Sequence, residues 1–503
     1  MEAKRSKAFL IGVFIILFAL CMRIFYFAVF KNVPYSKAVE SQSVTRVSVG
    51  KRRGIIYDRN GIPLTDRKTE KVYIGERGLV SGDKSKLEIV RPQRYDQNGN
   101  GVHTVGYATN ESGGMWGIEK IYDHILSRDE ENFVSYSADS LKSPMKDVSL
   151  SREFGRDDGN GVRLTLDYHI QKIAEKVMDE HIEKGAVVIL DVDSFDVLAM
   201  ASRPEFDKNE IESHLSSNGT EMLNRSLCQY NPGSVFKIVT SICAIENNPL
   251  IANLNYECKG SFITPDTLSF LCHKKEGHGK KDMKSAFADS CNCFFYNLGM
   301  TLGGEKITQT ARKLGLGEKL LCFGDEEASG EIPQKDYFTF GDCANISIGQ
   351  GDVMITPLQC AALSATVASG GVRREVNIAD SVIDGNGNTM LSLRRPGEYE
   401  AMNEHTAKVI GEMMRECVIS GTGQDAGSCE ITIAGKTGSA ETGWILSDGS
   451  LCVQGWFCGY FPYEEPKYAM AILSENGKSG SQSCVEPFVK ICEEINKIYP
   501  LKQ

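Results

Sequence analysis

The chain has no cysteine between Met22 and Leu227, although it carries 16, and no excess of positive charge, with 56 Lys+Arg against 66 Asp+Glu. The resulting net charge of −10 excludes a nucleic-acid binder that relies on bulk positive charge, and polyanions are not its expected partners. No segment repeats at a fixed spacing and the 49 glycines keep no three-residue period, which removes solenoid and collagen architectures. Apolar residues are not scarce. With 41% hydrophobic, 24% charged and 9% aromatic residues over 503 positions, disorder is excluded and two to four domains of ~150 residues fit. Apart from Cys21, the cysteines all lie between Cys228 and Cys492. That leaves an odd number beyond the N-terminal run, so a disulfide framework would leave at least one thiol unpaired. Most read as small core hydrophobes.

The sequence opens with a basic stub, residues 1–7 with Lys4, Arg5 and Lys7, followed by an apolar run from Ala8 to Phe30. As a helix that run spans ~35 Å, enough to cross a bilayer. The flanking charges predict a cytoplasmic stub and a chain otherwise outside the cytoplasm, in the cell membrane by a single pass, with Arg23 snorkelling to the far headgroups. A cleaved signal would need a shorter core, and a lipoprotein signal a small residue where Leu20 precedes Cys21.

Residues 31–160 alternate short apolar stretches with charged turns, which predicts a β-rich module; its end, Ser127 to Asn160, reads as a solvated linker. From 161 to 503 a new domain is expected. Thr165 or Asp167 can cap a helix with Ile170, Ile173, Val177 and Ile182 on one face, followed by a strand at Ala186–Val192 and its hairpin partner at Val197–Ala201. Strands are predicted again at Ile431–Ile433, Val453–Phe461 and Tyr468–Leu473, with a largely helical stretch from Ser234 to about Val418 between the two groups. Strands at both ends and helices between them predict an α+β domain whose sheet the C-terminus completes.

The chemistry centres on Asn231-Pro232-Gly233-Ser234-Val235-Phe236-Lys237. Pro232 and Gly233 interrupt the preceding chain and place Ser234 in a first helical turn, with Lys237 on the same face as a base for a serine nucleophile. The free N–H groups of a helix start favour developing negative charge. Ser81–Lys84 and Ser143–Lys146 share the Ser-x-x-Lys pattern but open no apolar helix. Ser290-Cys291-Asn292 stands 56 residues after Ser234, and Lys436-Thr437-Gly438 a further 146 residues on. Ser290 can relay a proton between Lys237 and a leaving amine, and Asn292 can bind a substrate backbone or hold Lys237. Cys291 is a spacer in this path. The pattern of Ser290 and Asn292 also suits helix capping, and Ser216-Ser217-Asn218 repeats it cheaply. Lys436 is expected on an edge strand facing Ser234, where an extended peptide can add as a further strand. Lys436 and Thr437 can receive a carboxylate, Gly438 allows close approach, and the N–H groups of Ser234 and Ser439 suit an oxyanion. A second cation beside Lys237 would lower its pKa.

Ser-x-x-Lys, Ser-x-Asn and Lys-Thr-Gly in this order resemble the signature of penicillin-binding proteins and serine β-lactamases, and Cys291 in place of Asp belongs to the transpeptidase side. The Arg53–Gly61 stretch, Gly117-Ile118-Glu119, Asn224-Arg225, Gly349-Gln350-Gly351 through Gln359, and Trp456-Phe457 with Gly459-Tyr460 extend the resemblance to class B penicillin-binding proteins over nearly the whole length. The resemblance implies a penicillin-binding transpeptidase fold, a five-stranded antiparallel sheet packed between helices with a helical subdomain, on an elongated N-terminal pedestal. It implies a D,D-transpeptidase that cross-links peptidoglycan stem peptides ending in D-Ala-D-Ala through a Ser234 acyl-enzyme and is a target of β-lactams. It further implies a membrane glycosyltransferase partner of the shape, elongation, division and sporulation family, and neither cofactor nor metal. No extra domain after Tyr499 is expected, and nothing selects among division, elongation and sporulation. A sensor or hydrolase of the same fold and an idle scaffold are the alternatives. Against a hydrolase, no Glu-x-x-Leu-Asn stretch stands between Asn292 and Lys436. Cys258, Cys272, His273 and His278 match no zinc spacing well; a disulfide or two buried thiols is favoured.

Overall fold

Helix α1 (Glu2–Phe30) of the computed structural model carries the expected span: Lys4–Phe30 is long and apolar enough to cross a membrane, and the chain is membrane-anchored. The structure describes residues 2–31, 44–75, 78–80, 87–95, 100–109, 112–138, 151–153, 160–208, 211, 214, 220–247, 250, 253–445, 449 and 451–502.

The chain divides into two units, and the division does not fall at residue 160. One comprises Met1–Arg53, Thr69–Pro92 and Arg128–Asp157; the other comprises Gly54–Lys68, Gln93–Ser127 and Asp158–Gln503. The first unit holds two three-stranded sheets, one of which contains Ser127–Ser137 and Ser151–Glu153. The linker predicted from Ser127 onward is therefore strand at these positions. Alternate burial of Val134, Tyr136 and Ala138 outweighs the charged run before them. The rest of that stretch, 139–150 and 154–159, lies outside the described residues.

Two stretches of the expected N-terminal module belong to the second unit because they complete it. Ile56–Tyr57 pairs in parallel with Gly161–Leu164 in a four-stranded sheet. Asp58 beside it is buried and accepts hydrogen bonds from the backbone N–H groups of Asn60, Ile62 and Tyr168 at 2.7–3.1 Å, which is the structural role of the acid within the Arg53–Gly61 motif. Glu119 of the Gly-Ile-Glu motif is also buried, accepting from Arg94 Nε and the Tyr95 hydroxyl at 2.9 Å each.

The main sheet runs β2-β1-β5-β4-β3, all antiparallel: β1 (Gly185–Asp191), β2 (Val197–Arg203), β3 (Ala434–Ile445), β4 (Leu451–Phe461) and β5 (Tyr468–Gly477). The two strand groups meet in register at Val188↔Ala471, so the C-terminus does complete the sheet. Both faces are covered, and the central strands β1, β5 and β4 are largely apolar. Val187, Ile189, Phe457 and Ile472 face a core with α2 (Tyr168–His181) and the C-terminal helix, while Val188, Leu190, Trp456 and Leu473 face the helices between the strand groups. Asp167, not Thr165, caps α2, accepting from His169 N and Ile170 N. The hydroxyl of Thr165 instead donates to the carbonyls of Val197 and Asn377. The strand expected at Ile431–Ile433 begins only at Ala434, opposite Tyr460; Ile431 and Ile433 are buried core residues before it.

Burial, helped by nearby Glu205, pushes the Glu175 carboxyl on α2 up to about 7 from an ordinary 4.5, although its Oε1 accepts from Gly101 N and Gln171 Nε2. Between those values the folded chain keeps a proton that the unfolded chain has lost. Stability therefore falls as pH rises through that window, by up to about 3 kcal/mol. Glu175→Gln retains the Oε1 acceptor without the charge. Its thermal midpoint relative to wild type should start level near pH 4.5 and climb to a plateau above pH 7; a pH-independent offset would refute the assignment.

Candidate active site

The segment around Ser234 is held from two sides before any chemistry is considered. On one side, Tyr230 and Ile355 exchange backbone hydrogen bonds, Asn231 Nδ2 donates to the carbonyls of Gly351 and Val353 at 3.0 and 2.7 Å, and Gly233 N donates to Gly349 O at 3.0 Å. On the other, Trp456 Nε1 on β4 donates to Asn231 O at 3.0 Å. Gly233 has φ +53° and lies so close to Ser439 O that a Cβ would stand 2.5 Å from it, so only glycine fits. The chain then makes a 3₁₀ turn, Gly233–Phe236, which continues into α3 (Lys237–Asn247). Ser234 is in that turn and half-buried, and Lys237 is the first residue of α3, with no exposed surface.

Lys237 Nζ reaches three oxygens: Ser290 O at 2.6 Å, Asn292 Oδ1 at 2.7 Å and Ser290 Oγ at 3.1 Å. Ser290 follows α4 (Met283–Ala288) and precedes α5 (Asn292–Leu302), and Cys291 occupies the capping position of α5. Ser290 and Asn292 are thus not caps. Ser290 adopts φ +55°, a conformation that costs a non-glycine residue roughly 1–3 kcal/mol, in the turn that presents its carbonyl and hydroxyl to Lys237.

Lys436 lies on β3, the edge strand of the sheet, and is fully buried, with Nζ donating to Thr437 O at 3.1 Å and 5.5 Å from the ring centroid of Phe287. Burial holds the Lys237 ammonium well below its ordinary pKa, and the charge of Lys436 lowers it further; burial lowers Lys436 too. A Cβ on Gly438 would meet Pro232 O at 2.8 Å and Val235 Cγ2 at 2.9 Å. The close approach that Gly438 permits is therefore that of the Ser234 segment itself. Ser439 Oγ accepts from Gly480 N at 3.0 Å, at the start of the C-terminal helix α6 (Gly480–Ile498). The Ser-x-x-Lys matches at 81–84 and 143–146 and the Ser-Ser-Asn match at 216–218 lie outside the described residues.

Several contributors escape sequence reading. The hydroxyls of Thr437 and Thr422 share a 2.5 Å hydrogen bond. Glu475 on β5 accepts from Arg225 Nε at 2.8 Å and from the Tyr230 hydroxyl at 2.7 Å, tying the Asn224-Arg225 motif to the residue just before the serine segment. A third is a metal-type cluster, of which the sequence singled out Cys258, Cys272 and His278 but not Cys291. Cys258, Cys272, His278 and Cys291 place their ligand atoms within 4.8 Å of one another. His278 Nδ1 is 3.7 Å from Cys258 Sγ and 3.5 Å from Cys272 Sγ. Ligands of a tetrahedral zinc with Zn–S near 2.3 Å stand about 3.5–3.8 Å apart, so three thiolates and one imidazole fit that ion's donor set and spacing. Two short hairpins, Tyr256–Cys258 with Gly279–Lys281 and Ser261–Ile263 with Ser269–Leu271, bring the first three together. The fourth donor is Cys291, read as a spacer, while His273 lies beside His278 with its ring tilted and centroids 4.9 Å apart.

Residues 185–493 match the penicillin binding protein transpeptidase domain family. The chain is 27% identical to stage V sporulation protein D of Bacillus subtilis (strain 168), over 76% of this chain but only 59% of that relative's length. It is 25% identical to the peptidoglycan D,D-transpeptidase MrdA of Acinetobacter baumannii, over 94% of this chain and 85% of the relative. Among solved structures, the penicillin-binding protein PBP2 from Helicobacter pylori superposes with a TM-score of 0.73 at 22% identity, covering 91% of this chain and all of that one, a likeness of fold.

The cluster predicts about one zinc ion per chain by elemental analysis of protein purified without chelator, and its loss in Cys272→Ser. Wild-type protein that carries no zinc even after refolding with the metal would exclude the site.

Proposed function

Because the chain belongs to the penicillin-binding protein transpeptidase family, we propose that it is a peptidoglycan D,D-transpeptidase acting through a Ser234 acyl-enzyme, and that β-lactams acylate the same serine. The observation that carries this reading is the environment of Lys237. A neutral amine has two N–H bonds and one lone pair. The Ser290 and Asn292 carbonyl oxygens, which can only accept, take the two N–H bonds at 2.6 and 2.7 Å. The lone pair is left for a hydroxyl: that of Ser234 when it attacks the penultimate D-Ala carbonyl, or that of Ser290 as it relays the proton to the departing D-Ala amine. Burial and Lys436 keep the amine neutral enough to serve.

The substrate is a stem peptide ending in D-Ala-D-Ala, laid along β3, the edge strand. Lys436 and Thr437 hold its carboxylate, and the N–H groups of Ser234 and Ser439 stabilise the tetrahedral oxyanion. An amine of a neighbouring stem peptide then resolves the ester. Residues 1–7 stay in the cytoplasm and everything after α1 acts outside it, as Lys4, Arg5 and Lys7 favour. The partner is a membrane glycosyltransferase of wall synthesis. The Helicobacter pylori PBP2 that resembles this chain has been solved in complex with MreC, which makes an assembly role consistent with the family.

Fluorescent penicillin should label wild-type protein, fail to label Ser234→Ala, and label Lys237→Ala roughly 100-fold more slowly or worse. After free drug is removed, the bound label should persist for many minutes, because no Glu-x-x-Leu-Asn stretch supplies a base for water between Asn292 and Lys436. Equal labelling of Ser234→Ala would remove the nucleophile assignment, and release within seconds would favour a hydrolase.

A further inference from the structure

Cys429 and Cys492 have their Sγ atoms 3.8 Å apart. Cys429 follows the 3₁₀ turn Gln424–Ser428 and is half-buried, while Cys492, on α6, is fully buried. All sixteen cysteines are thiols in this structure, and the pairs differ in what can reach them. Cys360 and Cys458 also adjoin one another, but both are sealed inside the core. Cys258, Cys272 and Cys291 share an imidazole, the donor set of a metal. Only at Cys429 does an adjoining thiol pair keep one member open to solvent while the other waits behind it.

We propose that Cys429 and Cys492 form a redox-active pair that closes to a disulfide, fastening the segment that leads into β3 to the C-terminal helix. The Cys492 thiol beside it lowers the Cys429 pKa, which favours Cys429 as the first attacker. Cys429 thiolate attacks one sulfur of an incoming disulfide, either an oxidised small thiol or the disulfide of a dithiol oxidase, and expels one thiolate. Cys492 thiolate then attacks Cys429 Sγ and expels the second. Two protein thiols are oxidised, one external disulfide is reduced, and the two protein thiol protons end, by way of solvent, on the two expelled thiolates, giving two free thiols. Closure needs each sulfur to move by ~1 Å, from 3.8 Å to about 2.05 Å, within the range of side-chain rotation. The link lies seven residues before Lys436, so it anchors the strand that carries Lys-Thr-Gly without touching any group that reacts. The proposal rests on the reading above only for the oxidising side of the membrane on which the pair would stand.

The test uses the full chain in detergent, treated with oxidised glutathione or with reductant, then denatured, alkylated and digested without reduction. A peptide pair joining Cys429 to Cys492, two fewer alkylated thiols than in the reduced sample and a higher thermal midpoint are expected in the oxidised sample. Cys429→Ser should abolish the link and the shift in midpoint while leaving zinc content unchanged. Recovery of both residues fully alkylated after oxidation, or of either joined to a different cysteine, would overturn the proposal. Penicillin labelling is read in the same samples, so failure of the transpeptidase reading shows as lost labelling in the reduced wild type and is separate from a missing cross-link.

Discussion

A lysine side chain with no exposed surface, whose partners are two carbonyls and a hydroxyl, sets the terms for the rest of this site. Lys237 is desolvated on α3, close enough to Lys436 to be destabilised as a cation, and bonded at Nζ to Ser290 and Asn292. A buried charge without a counter-ion is expensive, and the cheaper state is the neutral amine. Everything that excludes water from this position therefore also favours the neutral amine that the proposed mechanism uses as its base. The outlying φ at Ser290, the 3₁₀ turn at Ser234 and the buried position of Lys436 on β3 all follow from the need to surround one nitrogen.

Around that nitrogen, backbone is packed against backbone more closely than any side chain would allow. Gly233 against Ser439, Gly349 against Gly233 and Gly438 against Pro232 are contacts in which an added Cβ would stand 2.3–2.8 Å from a carbonyl oxygen. They let the serine segment lie between β3 and the Gly349–Val353 loop with little freedom. Arg225, Glu475 and Tyr230 reinforce it from below through charge-assisted hydrogen bonds in a shielded place. Preorganisation of this kind would confine Ser234, the proposed nucleophile, before substrate arrives.

The cysteines divide by what surrounds them. Cys243, Cys360, Cys417 and Cys458 are closed in the core and behave as small apolar residues. Cys258, Cys272 and Cys291 converge on His278, and Cys291 is flanked on both sides by residues that hold Lys237. A metal ion there would fix the backbone between Ser290 and Asn292 through an atom that takes no part in proton transfer. Cys429 and Cys492 pair the segment that leads into β3 with the C-terminal helix, remote in sequence from that cluster.

Local spacing alone determined the apolar anchor helix, the hairpin of β1 and β2 and the order of the three motifs, and narrowed the cap of α2 to Thr165 or Asp167, because each is written in short intervals or in a run of fixed length. The α+β class followed from strands at both ends of the second unit. Tertiary structure decided what those intervals cannot encode. Glu475 meets Arg225 across 250 residues, and the Cys291 thiol joins the Cys258, Cys272 and His278 donors only because two hairpins bring them to α5. Gly438 was legible as a position of close approach, but which chain approaches depended on the packing of the Ser234 segment onto β3. The charged run at the start of Ser127–Ser137 masked a strand whose alternating apolar residues find a neighbour only in the folded unit. Periodicity reports the face an element will bury, whereas the partner on that face is set by the path of the whole chain, through contacts whose sequence separation carries no pattern.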